Sequence, residues 1–121
     1  MDTNLVLRDG TSNLTADESL TAVLVGPMVK PLWLHVVVPS ITSTDTLDVE
    51  LEFNDDGSTE IDNQNMKQIT AAGHFAIPFF TLHNYLLVKL NITDVGGGGF
   101  SSGATKVWID NASRYDGAYL T

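Results

Sequence analysis

The strict alternation of apolar and acidic side chains between residues 46 and 53 is the sequence feature that most constrains the fold. Four apolar side chains alternate with three acidic ones, in the order Leu47, Asp48, Val49, Glu50, Leu51, Glu52 and Phe53. Successive side chains of a β-strand point to opposite faces, so a period of two places all four apolar side chains on one face. The segment therefore predicts a strand with one buried face and one solvated, acidic face.

Period-two patterns or short β-branched runs recur along the chain, and no long window shows the apolar spacing of a helix. Further strands are predicted at residues 5–8, 20–25, 32–38, 66–70, 74–80, 86–92 and 105–109. Each of them is flanked by turn residues. About eight short strands with no helix between them favour antiparallel pairing in two packed sheets. We therefore expect an all-β protein, a jelly-roll-like antiparallel β-sandwich with extended N- and C-terminal segments.

The length of 121 residues fits one domain, because two separate cores would each be marginal. We expect a single sandwich over residues 1–110 and a C-terminal arm over residues 111–121. The Asp-Gly step at Asp56 and Gly57 predicts a turn after the alternating strand, because glycine supplies the positive φ of tight hairpins. Pro27 and Pro31 predict a connection between strands, since proline cannot donate to a sheet ladder.

The charge of the chain argues against several classes of partner. The chain has fifteen acidic and six basic side chains, so its formal net charge is −9. A negative charge of this size repels phosphate backbones and anionic lipids. The apolar runs are much shorter than the roughly 20 residues that span a bilayer. The first residues carry no basic, apolar export signal, and cysteine is absent. We expect a protein made without export that binds neither nucleic acid nor membrane.

The histidines and the glycine run lack the spacing of metal-binding and phosphate-binding motifs. His35, His74 and His83 show no metal-binding spacing, and the glycine run at residues 96–99 lacks the Lys-Ser/Thr of a phosphate loop. An enzyme would require His74 and His83 to converge with a carboxylate in a pocket. We expect no enzymatic activity and no cofactor.

An acidic series after the alternating strand has a weak likeness to a calcium loop. Its oxygen-bearing residues alternate, as Asn54, Asp56, Ser58, Glu60 and Asp62. Gly57 stands at the wrong offset for an EF-hand, and no glutamate occupies the last ligand position. A solvated strand face followed by a hairpin turn is the favoured interpretation.

The C-terminal run is rich in the residue types that anchor protein interfaces. Trp108, Arg114, Tyr115 and Tyr119 offer large contact areas with few torsions. They predict either a docking arm or a tail that folds back on its own domain. Leu5 and Leu7, near the other end of the chain, are added as candidate partner contacts.

Several segments resemble small β-sandwich proteins encoded in the head gene clusters of tailed bacteriophages. The likeness rests on residues 2–10 (DTNLVLRDG), 47–59 (LDVELEFNDDGST), 68–73 (QITAAG) and 85–93 (YLLVKLNIT). Such proteins resemble capsid decoration or cement proteins. The resemblance implies a structural virion protein on the outer surface of the capsid, often a trimer, that bridges copies of the major capsid protein.

A carbohydrate-binding β-sandwich module is the alternative prediction. In this hypothesis Trp33, Trp108 or tyrosines stack on sugar faces, and the acidic turn holds a structural calcium. It predicts an exposed row of aromatic side chains.

Overall fold

The computed structural model describes residues 5–42 and 44–110, and over these ranges the chain forms strands, turns and loops but no helix. No helix capable of crossing a membrane is found in the described part of the chain. The strands are β1 (Leu5–Asp9), β2 (Glu18–Ser19), β3 (Val23–Leu24), β4 (Leu32–Val38), β5 (Thr46–Asn54), β6 (Asp62–Asn65), β7 (Gly73–Phe79), β8 (Tyr85–Thr93) and β9 (Lys106–Asp110).

The nine strands form two antiparallel sheets. Sheet A has four strands in the order β1-β9-β4-β7. Sheet B has five strands, with the order β2-β8-β5-β6 and with β3 also paired to β8. The all-β class and the antiparallel β-sandwich predicted from the sequence are confirmed.

The core lies between the two sheets and is built from the alternating side chains of the long strands. Leu47, Val49, Leu51 and Phe53 of β5 are all buried, as the period-two pattern predicts. Sheet A contributes the buried residues Leu34, Val36 and Val38 of β4, Phe75, Ile77 and Phe79 of β7, and Val107 and Ile109 of β9. The opposite side chains of each strand therefore form the outer faces of the sandwich.

The strand predicted at residues 66–70 is wrong, and the strand in this region is β6 at Asp62–Asn65. Met66 and Ile69 are buried, but Ile69 makes only an isolated bridge to Leu47. The prediction failed because β6 is a polar edge strand with no buried face, so its residues show no alternation of apolar and polar side chains. The apolar residues Met66 and Ile69 in the segment after β6 suggested a strand there instead.

The strand predicted over residues 20–25 is reduced to the two residues of β3 (Val23–Leu24), and β2 (Glu18–Ser19) lies just before the predicted segment. The turn predicted around Gly57 is present, with Gly57 at a φ of 90°. The predicted C-terminal arm at residues 111–121 lies outside the described residues.

Candidate functional site

Two connections meet at one end of the sandwich, the β3–β4 connection and the β7–β8 connection. The backbone N–H groups of Val25 and Gly26 donate to the carbonyl of Asn84 at 2.8 and 3.1 Å. The N–H of Met28 donates to the carbonyl of Thr81 at 3.1 Å. These three hydrogen bonds hold the two connections side by side.

The paired connections and the end of β3 expose large apolar side chains. Leu24 is 66% exposed, Val29 94% and Leu82 70%, and Phe80 is also exposed. These residues are four of the seven exposed large hydrophobic residues found in the described chain. We call the set of Leu24, Val29, Phe80 and Leu82 the apolar loop end. A concentration of exposed apolar surface of this kind is typical of a binding surface.

A hollow of about 370 Å³ lies beside Leu24 and Val29. Its lining consists of Leu24, Val25, Pro27, Met28, Val29, Lys30 and Leu32. The buried Met28 forms part of the lining, and its Sδ accepts a hydrogen bond from the Thr81 N–H at 3.4 Å. Lys30 is the single charged residue of this lining, so the hollow suits an apolar side chain with an acidic neighbour.

A second group of chemically distinctive residues lies on the outer face of sheet A. His35 of β4 is opposite Trp108 of β9, and the two rings stack with centroids 4.8 Å apart and planes 4° apart. Nζ of Lys106 lies 5.3 Å from the Trp108 ring centroid. Although His35 points away from the core, it is only 1% exposed. The centre of this outer face is therefore shielded from solvent at His35.

Histidine spacing along the chain did not predict a histidine cluster, but folding brings His35 and His74 together. Nδ1 of His35 lies 3.0 Å from Nε2 of His74, and the ring centroids are 5.2 Å apart. The centroid separation exceeds the nitrogen separation by about twice the radius of an imidazole ring. The nitrogens therefore face each other head-on, as in a hydrogen bond, and do not converge on a shared third point as two metal ligands would.

The histidine pair that an enzyme was expected to need is not the pair that meets. His83 lies in the β7–β8 connection, where its Nδ1 is 3.2 Å from Oδ2 of Asp55. His74 instead contacts His35, and Asp110 contacts the other nitrogen of His35 at 3.1 Å.

The acidic face of β5 is partly neutralised by one lysine. Glu52 is only 2% exposed, and its Oε2 lies 2.6 Å from Nζ of Lys89. Carboxylate oxygens of Glu50, Glu52 and Glu60 lie within 4.8 Å of one another. Burial, followed by the charges of Glu52 and Glu60, raises the pKa of Glu50. The hydrogen bond from Lys89 to Glu52 raises the pKa of Lys89.

The calcium-like series does not form a ligand set among the described residues. Oδ1 of Asn54 accepts from the Gly57 N–H, and Oδ1 of Asp56 accepts from the N–H groups of Ser58 and Thr59. These bonds lower the pKa of Asp56 to about 2. The side chains cap their own loop, and only Glu60 of the series belongs to the convergent carboxylates.

The glycine run at residues 96–99 forms a loop, as expected. The N–H of Gly97 donates to Oδ1 of Asp94 at 3.0 Å, and the N–H of Gly99 donates to Oδ2 at 2.8 Å. The carboxylate of Asp94 therefore occupies the position that an anion would need in a phosphate loop.

The predicted partner contacts that the structure describes fall in two different places. Leu5 and Leu7 are partly buried and pack against the core. Trp108 lies on the outer face of sheet A, while Arg114, Tyr115 and Tyr119 lie outside the described residues. The apolar loop end was missed in the sequence. Its signal was present in the apolar residues of two connections, one of them punctuated by Pro27 and Pro31.

The fold defines an antiparallel β-sandwich protein. Comparisons with protein-family models, with curated proteins and with solved structures found no match.

Proposed function

We propose that this protein is a structural virion protein that decorates the outer surface of a capsid and binds the major capsid protein. It acts by protein–protein contact, without catalysis or cofactor and without binding nucleic acid or membrane. The single observation that carries this proposal is the apolar loop end, a concentrated apolar surface on an otherwise acidic protein. The capsid partner comes from the family resemblance of the sequence.

The apolar loop end has the chemistry of an interface core. Leu24, Val29 and Leu82 each present an aliphatic side chain to solvent, and burying such surface contributes roughly 25 cal/mol per Å². Specific interfaces need about 800 Å² per partner, so neighbouring surface would join the contact. A trimer that presents three such ends to a regular lattice binds more tightly than a single copy, because later contacts form intramolecularly.

The strand order supports a jelly-roll topology for the sandwich. When β3 is set aside, the eight other strands divide into the orders β1-β9-β4-β7 and β2-β8-β5-β6. Strands from the two ends of the chain pair next to each other in both sheets, as two interlocked Greek keys require. We infer a jelly roll, an architecture used in viral capsid domains and also in lectins. The fold alone fixes no function, so the function has to be inferred from the exposed surface.

The test is binding to capsids assembled from the major capsid protein encoded in the same genome. We expect the protein with both Leu24→Ser and Leu82→Ser to lose at least about tenfold in affinity, since each change removes exposed apolar area. Val95→Ser with Ile61→Ser is the matched control, because Val95 is 65% exposed, close to the 66% of Leu24. Co-sedimentation measures binding, and light scattering measures the mass of the oligomer.

The outcome separates the parts of the proposal. Capsids that fail to bind the unaltered protein would contradict the capsid function. Equal loss in the test and control variants would contradict the role of the apolar loop end. A monomeric mass at binding concentrations would contradict the trimer.

A carbohydrate-binding module is the second candidate, favoured by the position of the two tryptophans. Trp33 and Trp108 belong to adjacent strands on the outer face of sheet A, and both are partly buried. The His35 ring already stacks against Trp108, which reduces the area left for a sugar. Binding on a glycan array together with a calcium-dependent rise in melting temperature would favour this candidate over the capsid function.

A further inference from the structure

The last described strand leads the chain to the apolar loop end. β9 is antiparallel to β4, and its final residue, Asp110, is paired with Trp33 near the start of β4. β4 follows the β3–β4 connection, which supplies Val29 to the apolar loop end and Lys30 to the lining of the hollow. The chain beyond Asp110 therefore leaves the sandwich at the end that carries this surface.

The distance from Asp110 to the hollow is short compared with the length of chain that follows. Register partners on neighbouring strands lie about 5 Å apart, and Lys30 is three positions before Trp33, so Asp110 and Lys30 are within about 16 Å of each other. The eleven residues 111–121 reach about 36 Å when extended. They are therefore long enough to cross the apolar loop end of their own chain.

The side chains of residues 111–121 match the chemistry of this surface. Tyr115, Tyr119 and Leu120 offer aromatic and aliphatic area, and tyrosine buries a large area with few torsions to order. Asp116, next to Tyr115, offers a carboxylate to Lys30, the single charged residue of the lining. The segment therefore supplies both the apolar side chains and the acidic neighbour that the hollow suits.

We propose that residues 111–121 dock onto the apolar loop end of their own chain and cover its exposed side chains in the free protein. Because the segment is attached close to the hollow, its effective concentration there is on the order of millimolar. A second copy reaches this concentration only in a comparably concentrated solution, so the segment of the same chain is the favoured occupant. Docking also covers Leu24, Val29 and Leu82, whose exposure favours non-specific association.

The docked segment would regulate capsid binding, a consequence that rests on the proposed function. The capsid protein and the segment compete for the same side chains, so the apparent affinity for capsids falls with the fraction of molecules whose surface is uncovered. A segment that covers the surface in about two-thirds of the free molecules weakens capsid binding about threefold.

The first experiment records nuclear Overhauser contacts by NMR in the full chain, without capsids. We expect the ring protons of Tyr115 and Tyr119 to contact methyl groups of the apolar loop end. A mixture of isotope-labelled and unlabelled protein then separates contacts within one molecule, which we expect, from contacts between copies. Contacts found only between copies would identify a second copy as the occupant and overturn the proposal. Tyrosines that contact only the outer face of sheet A, or no part of the sandwich, would overturn it as well.

The second experiment removes the aromatic side chains of the segment. Tyr115→Ser with Tyr119→Ser should raise the fluorescence of the apolar dye anilinonaphthalene sulfonate at least about twofold, because the apolar loop end becomes uncovered. The control adds Leu24→Ser and Leu82→Ser to these two changes, and it should return the signal to that of the unaltered protein. Unchanged fluorescence in the tyrosine variant would refute the docking, and so would an increase that survives the two leucine changes.

Capsid binding by the same tyrosine variant separates this inference from the proposed function. We expect Tyr115→Ser with Tyr119→Ser to bind capsids at least about threefold more tightly than the unaltered protein. If neither protein binds capsids, the capsid function fails, while the NMR contacts and the dye fluorescence still decide the docking. Capsid binding that is equal in the two proteins, or weaker in the variant, would show that the segment does not cover the surface that binds capsids and would overturn the proposal.

Discussion

Arg8 and Glu18 form a bidentate ion pair that joins the edge strands of the two sheets. Nε and Nη2 of Arg8 lie 3.0 and 3.1 Å from the two carboxylate oxygens of Glu18. Nη1 of the buried Arg8 also donates to the carbonyls of Ser12 and Thr105 at 2.8 and 2.7 Å. Because β1 belongs to sheet A and β2 to sheet B, this guanidinium closes one side of the sandwich.

Replacing Arg8 with methionine is expected to lower the free energy of unfolding by about 2–4 kcal/mol. The change leaves the Thr105 carbonyl without its buried donor and Glu18 without its counterion. Lys30→Met, at an exposed lysine, is the control and should change stability by less than about 0.5 kcal/mol. Urea denaturation measures both, and similar midpoints would show that Arg8 contributes little.

Lys89 stabilises the fold by neutralising Glu52, whose carboxylate is almost fully buried. Lys89→Met leaves that charge unpaired and is expected to lower the melting temperature. Glu52→Gln should cost less, because the partly exposed Lys89 is rehydrated. The double variant with Lys89→Met and Glu52→Gln should recover much of the loss. Failure of the second substitution to restore the melting temperature would contradict this account of Lys89.

The strands with a buried face could be predicted because apolar and polar side chains alternate along them, and the apolar side chains mark the buried face. In β5 each apolar position from Leu47 to Phe53 is in the core. Strand β6 could not be predicted in the same way, since Asp62–Asn65 is a polar edge strand held by backbone pairing with β5. Its position depends on the neighbour, which local sequence does not specify.

The contact between His35 and His74 could not be predicted from local sequence either. The two residues are 39 positions apart in the chain. His74 is paired with Val37 in the register of sheet A, and His35 lies two residues before Val37 on the same face of β4, so the two histidines are diagonal neighbours. That register follows from the order of strands in sheet A. The apolar loop end was partly predictable, because Pro27 and Pro31 mark a connection whose apolar Val29 has no strand face to occupy.

Glu50 is expected to destabilise the folded protein at neutral pH. Burial and the neighbouring Glu52 and Glu60 raise its folded pKa, so the folded state binds the proton more tightly than the unfolded state. Stability therefore falls as pH rises from the unfolded pKa through the folded pKa. Glu50→Gln should raise stability at neutral pH by up to about 1 kcal/mol. The gain should vanish in acid, where Glu50 is protonated in both states, and a pH-independent gain would contradict the electrostatic cause.

Gly26 is expected to be essential for the paired connections of the apolar loop end. A Cβ at this position would overlap the backbone carbonyl oxygen of His83, which cannot move without disturbing the β7–β8 connection. Gly26→Ala should therefore cost more than about 2 kcal/mol of stability and weaken the proposed binding to capsids. At Gly98 a Cβ meets nothing within 4 Å, so Gly98→Ala is the matched control and should be neutral or slightly stabilising. Equal urea midpoints for the two variants would show that the close approach of the connections is not required.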